Sequence, residues 1–142
     1  MDKFTNKTDE ISKLVSTQLK SNFGLEVKEE SQLKEGVKLA LASCEYCFAR
    51  INSKYFKDEN GRVIFNPFHS GQYTIFLYYL SRLMYTKKLC SEFLLDKLYY
   101  LNRMLNSVDL YYKVELPRVF FVDHPLGSVI GRATIGNNFS FQ

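Results

Sequence analysis

The chain holds two histidines, and the neighbours of each suggest chemistry. Asp123-His124-Pro125-Leu126-Gly127 sets a carboxylate beside an imidazole, at a bend marked by Pro and Gly. Imidazole titrates near neutral pH and is the commonest general base, and bends expose side chains to ligands. A structural histidine with its hydrogen bonds satisfied is the competing reading of His124. His69, in Asn66-Pro67-Phe68-His69-Ser70-Gly71-Gln72, falls in the first turn of an expected helix. Packing or surface roles are the ordinary ones there. Cys44-Glu45-Tyr46-Cys47 matches C-x-x-C. Zinc needs a second ligand pair that Cys90 and two distant histidines do not supply, and a redox pair sits beside a βαβ unit rather than inside a helix. These cysteines read as core residues, and no metal site is expected.

The elements that must position His124 follow from pattern. The chain has 142 residues, 46% apolar and 24% charged, within one ordinary domain's length. Its net charge of +4, from 19 basic and 15 acidic residues, comes with no basic run, so no nucleic-acid footprint is expected. The N-terminus lacks an apolar signal core. The longest apolar run, Tyr73–Leu80, is far short of the roughly 18 residues of a membrane span. Three cysteines give no disulfide framework, so a cytoplasmic location without membrane attachment is expected.

Ile11, Leu14, Val15 and Leu19 predict a first helix after Asp9-Glu10. Leu33, Val37, Leu41, Cys44, Phe48 and Ile51 predict a second, from about Glu30 to Asn52. Lys57–Arg62 reads as a turn. Asn66-Pro67 reads as the N-cap and first residue of a third helix, running to about Thr86 with Tyr73, Phe76, Leu77, Leu80, Leu83 and Met84 inward. Ser91 caps a fourth, ending at Asn106-Ser107, with Leu94, Leu98, Leu101 and Leu105 toward the core. From Val114 the text turns β-branched and aromatic, and Pro117 suits an edge or corner. Three of the seven glycines then appear within ten residues. Ile130-Gly131 and Ile135-Gly136, each followed by a small residue, fit the hexapeptide repeat of parallel β-helices. The expected fold is mainly α: a helical bundle over 1–113, then the incomplete start of a left-handed parallel β-helix over 114–142.

The order of these motifs resembles the bacterial serine O-acetyltransferases. It runs from a helical region to Phe68-His69-x-x-Gln72, then Asp123-His124-x-x-Gly127, then the aliphatic-Gly pairs. The likeness covers roughly residues 60–142. It implies transfer of an acetyl group from acetyl-CoA, as co-substrate, to the hydroxyl of L-serine, with His124 as general base. It implies that Asp123 helps hold the amino acid, that His69 lies on the substrate side, and that Glu115 orients the imidazole, with Asp109 its rival. It also implies a homo-oligomer, a trimer or a dimer of trimers.

The chain departs from that family in several places. It is about one hexapeptide shorter between Glu115 and His124. Glu115 stands where the family has Asp, and Ile75 where it has Arg. Ile130 and Ile135 are five residues apart rather than six, and the family's second active-site His would lie beyond Gln142. Another acceptor, such as a sugar, stays open. From Ile130 the chain is shorter than one coil of about 18 residues, and stacked repeats need about three before they bury a core. The expectation is a shortened piece, inactive alone. A rival reading from another class is a helical oligomerisation module with a vestigial β-helix.

Overall fold

The computed structural model describes residues 3–142, and 54% of it is helical. Helix α1 spans Thr8–Asn22 and buries Ile11, Val15 and Leu19. Helix α2 spans Val27–Ala49. It begins earlier than the apolar stripe suggested, because Glu26 and Glu29 form a reciprocal capping box that satisfies orphan amides. Leu33, Val37, Leu41, Cys44 and Phe48 are buried as expected, and Ile51 is buried although the helix has already ended. In the connection to α3, the Asp58 carboxylate accepts from the amides of Asn60 and Arg62, which makes the expected turn.

Helix α3 spans Ser70–Thr86, and every residue from Gly71 to Ser81 is buried. A helix apolar on all sides has to be central. It packs between α2 and α4, with the strand segment across its N-terminal half. Its start differs from expectation. The Asn66 side chain accepts from the Phe68 amide in a tight turn, while the Asn66 amide is taken by the Gln72 side chain. The cap therefore falls to His69. Helix α4 spans Glu92–Asn106, with Ser91 as its cap and left-handed Ser107 (φ 53°) closing it. Leu94, Leu98 and Leu101 are buried, whereas Leu105 is exposed, because Asn102 and Asn106 take the inward face of the last turns.

Four short strands follow: β1 Asp109–Leu110, β2 Phe120–Val122, β3 Val129–Ile130 and β4 Phe139–Phe141. β1 pairs in parallel with β3, and β2 in parallel with β4. The chain thus winds once and lays a second, partial winding over the first. β1 precedes the boundary drawn at residue 113. Val108, Leu110, Tyr112, Val114, Phe120 and Val122 belong to the same core as the helices. Polar contacts lock the two parts together. The Tyr78 hydroxyl donates to the Val114 carbonyl (2.7 Å) and accepts from the Leu116 amide (2.9 Å), and the Tyr79 hydroxyl donates to the Arg118 carbonyl (2.7 Å).

Candidate functional site

The Asp123–Gly127 bend leaves β2 and is tied down by its own backbone. The Asp123 amide donates to the Phe141 carbonyl (3.0 Å), and the Gly127 amide donates to the Ser107 carbonyl at the end of α4 (2.8 Å). The Ser128 amide closes back on Pro125 (2.9 Å), and the Asp109 amide donates to the Ser128 carbonyl (2.8 Å). Pro125 is buried, so the bend is anchored from below. The two residues the sequence marked are raised above it. His124 has φ 49°, a left-handed conformation uncommon outside glycine, and its side chain is 86% exposed. Its Nε2 lies 3.5 Å from Asp123 Oδ1, so the pair becomes an ion pair when the imidazole is protonated. An imidazole on a constrained backbone, open to solvent and flanked by a carboxylate, can take a proton from an incoming group and be steadied as the cation.

The start of α3 braces this bend. Gly71 abuts the end of β2 so closely that a Cβ there would lie 2.5 Å from the Val122 carbonyl oxygen. His69 is half-buried, and its Nδ1 accepts from the Gln72 amide (3.3 Å). Its ring packs against Tyr55 and Phe56. Gln72 is fully buried, and its side chain bridges the Asn66 amide (2.7 Å) and the Tyr55 carbonyl (3.0 Å). From Ser70 a polar chain runs to Asn106 (3.0 Å), to Asn102 (2.8 Å) and to the Thr74 carbonyl (3.2 Å), stitching α3 to α4 below the bend. The residues of Phe68-His69-x-x-Gln72 therefore hold the helix start in place.

Glu115 does not join His124. Among the described residues no hydrogen bond or ion pair links them. Glu115 lies on the corner between β1 and β2, at a concavity of about 390 Å3 shared with Pro117, Thr134, Ile135 and Asn137 of the next winding. Asp109 is engaged elsewhere: it accepts from the Tyr99 hydroxyl and lies 4.0 Å from Arg103 Nε. Burial, then the Asp109 contact, pushes the Tyr99 phenol up to about 12. Asp123 is the carboxylate paired with His124.

Cys44 and Cys47 are buried free thiols, and burial raises both above the ordinary thiol range. The Cys47 thiol donates to the Phe120 carbonyl (3.3 Å). This is the core role expected of them. Among the described residues no group of three His, Cys, Asp or Glu side chains could hold a metal. Among the same residues no helix is long and apolar enough to cross a membrane.

No sequence motif marks Ser70, Gly71, Asn102 and Asn106, which brace the bend. The two asparagines sit at i,i+4 on α4 where helical spacing points inward, which was the available signal. Phe68, Leu105 and Leu126 are exposed, which their apolar character does not foretell.

No protein-family profile, curated protein or solved structure matches the chain.

Proposed function

We propose that the chain is an acyltransferase that moves an acetyl group from acetyl-CoA to the hydroxyl of L-serine, with His124 as general base. The observation that carries this reading is the exposed His124 imidazole, fixed in a left-handed bend 3.5 Å from Asp123. The base removes the serine hydroxyl proton as its oxygen attacks the thioester carbonyl. The tetrahedral adduct collapses, the C–S bond breaks, and the imidazolium returns its proton to the departing thiolate. Asp123 steadies the imidazolium, a role given to it rather than to Glu115 because of the contact distance. His69 acts as a positioning residue, since its Nδ1 is spent on the helix cap.

In this reading the parallel windings are the first coil of a left-handed β-helix, with the aliphatic-Gly pairs at its corners. The protein works in the cytoplasm, and its free thiols fit a reducing compartment. The test is acetyl-CoA-dependent thiol release by the full encoded chain, with L-serine against sugar acceptors and with His124→Ala beside wild type. Release with a sugar alone would move the acceptor and keep the base.

A second reading has its own observation. Phe68, Leu126 and Val129 are strongly exposed and Leu105 is exposed, on segments that the Ser70–Asn106 and Gly127–Ser107 hydrogen bonds join at one end of the molecule. Exposed apolar patches mark interaction surfaces. A helical module that self-associates through this end fits them. Light scattering separates the readings: a stable oligomer without acetyl transfer favours the module, and one dispersed by Leu126→Asp locates the contact.

A further inference from the structure

Arg50 closes α2 and Arg118 precedes β2, so 68 residues separate them in sequence, yet both converge on one ring. The Arg50 guanidinium carbon lies 3.5 Å from the Tyr46 ring centroid and that of Arg118 lies 3.4 Å from it. Two guanidiniums cannot occupy one face at that distance, so they cover opposite faces, roughly 7 Å apart. Stacking satisfies the faces of a guanidinium and leaves its N–H edge directed outward. Arg50 spends one donor on the Tyr46 carbonyl (2.9 Å). Among the described residues neither arginine makes an ion pair, although both are exposed. Two like charges held this close, without an acidic partner, repel one another and favour an anion.

Beside the clamp lies a concavity of about 160 Å3 that includes Arg50 itself. Ile51, Val119, Phe121 and Phe139 line it together with Asn52 and Asn138. Apolar walls with a few amides suit a flat heteroaromatic ring.

We propose that Arg50 and Arg118 form an anion clamp for the diphosphate of a nucleoside diphosphate group, with the adjoining concavity taking the base. Planar guanidiniums match phosphate oxygens in pairs, and two phosphates reach two separated guanidinium edges where one phosphate reaches one. A nucleic acid is disfavoured as the ligand, because the chain's net charge is only +4 and its basic residues form no run. The clamp stands at the opposite end of β2 from His124 and does not depend on that residue's role. The same diphosphate occurs in free nucleotides and in coenzyme A, so the two sources are tested separately.

The experiment is calorimetric titration of the 142-residue chain at low salt with inorganic pyrophosphate, orthophosphate, ADP and coenzyme A. Saturable pyrophosphate binding, stronger than that of orthophosphate, is expected. Arg50→Lys and Arg118→Lys, which keep the charge and lose the planar fork, should each weaken it by about tenfold. Lys87→Gln at the far end of α3 should leave it unchanged. Unaltered melting temperatures in the lysine variants separate lost binding from lost folding. Absence of saturable pyrophosphate binding overturns the proposal, as does equal binding of orthophosphate or full retention in the double lysine variant. ADP binding at least as tight as pyrophosphate supports the concavity as the base site, and weaker ADP binding overturns that part. Coenzyme A binding tighter than ADP identifies an acyl carrier as the source, and the reverse identifies a free nucleotide; both results support the clamp.

Discussion

Gly71→Ala tests whether α3 positions the His124 bend. An added Cβ would lie 2.5 Å from the Val122 carbonyl oxygen and 3.2 Å from His69 Cε1. The first neighbour is backbone, held in β2 by pairing with β4, and cannot rotate away. Ordinary contact distance requires the helix start and β2 to separate by about 1 Å, and overpacking of this kind costs about 1–3 kcal/mol. Alanine returns up to about 1 kcal/mol of helix propensity, less in a first turn. The net loss is about 1–2 kcal/mol, a fall in melting temperature of about 3–8 °C for a chain of this size. Gly36→Ala is the matched control. There the Cβ meets only side chains, Met84 Sδ at 2.5 Å and Cγ at 2.6 Å and Leu80 Cδ1 at 3.0 Å, which can repack where a backbone carbonyl cannot, and the mid-helix propensity gain is larger. Its stability should stay within about 1 kcal/mol of wild type. The assay is thermal and urea denaturation by circular dichroism, with amide NMR shifts at Asp123 and His124 as the local readout. Gly71→Ala should move those shifts and Gly36→Ala should not. A Gly71→Ala chain as stable as wild type, or shifts unmoved at His124, refutes the bracing argument.

Ser107 and His124 both hold left-handed backbone at a cost that glycine avoids. Ser107→Gly should raise the melting temperature by a few degrees, and His124→Gly should not lower it while abolishing acetyl transfer, as thermal denaturation and thiol release will show. Gln72→Leu leaves the Asn66 amide and the Tyr55 carbonyl without their partner, and should cost about 2–4 kcal/mol in urea denaturation. Burial holds the Tyr73 and Tyr79 phenols and the Cys44 and Cys47 thiols above their ordinary values. The unfolded chain therefore loses these protons first as pH rises. Stability should be full below about pH 8.5 and decline steadily above it, measured as urea midpoints between neutral and alkaline buffers.

The helices were legible because their determinants are local. Ser91 caps α4 and Asn106-Ser107 ends it, as a short polar side chain and a left-handed residue dictate. The α2 stripe lands in the core because residues three and four apart share one helix face. The start of α3 was misplaced because Asn66 is used by two turns at once, its side chain by Phe68 and its amide by Gln72. The Gln72 contact depends on a side chain six residues away, which local pattern does not display. β1 escaped notice because two residues carry no periodicity, and its partner lies a full winding later at Val129–Ile130. The Asp123-His124 pair was legible as an exposed bend from Pro125 and Gly127. The separation of Glu115 from it was not, since that depends on which corner of the winding each occupies. The Arg50–Tyr46–Arg118 stack joins distant segments, and nothing local to either arginine signals it.

The claim that His124 is a general base is tested most directly by thiol release from acetyl-CoA with L-serine, comparing the full encoded chain with its His124→Ala form. Serine-dependent release is expected to fall by about 10²–10⁴-fold in the variant while its melting curve is retained. Serine-dependent release that survives in His124→Ala, or no release with any acceptor hydroxyl in the full encoded wild-type chain, would contradict it.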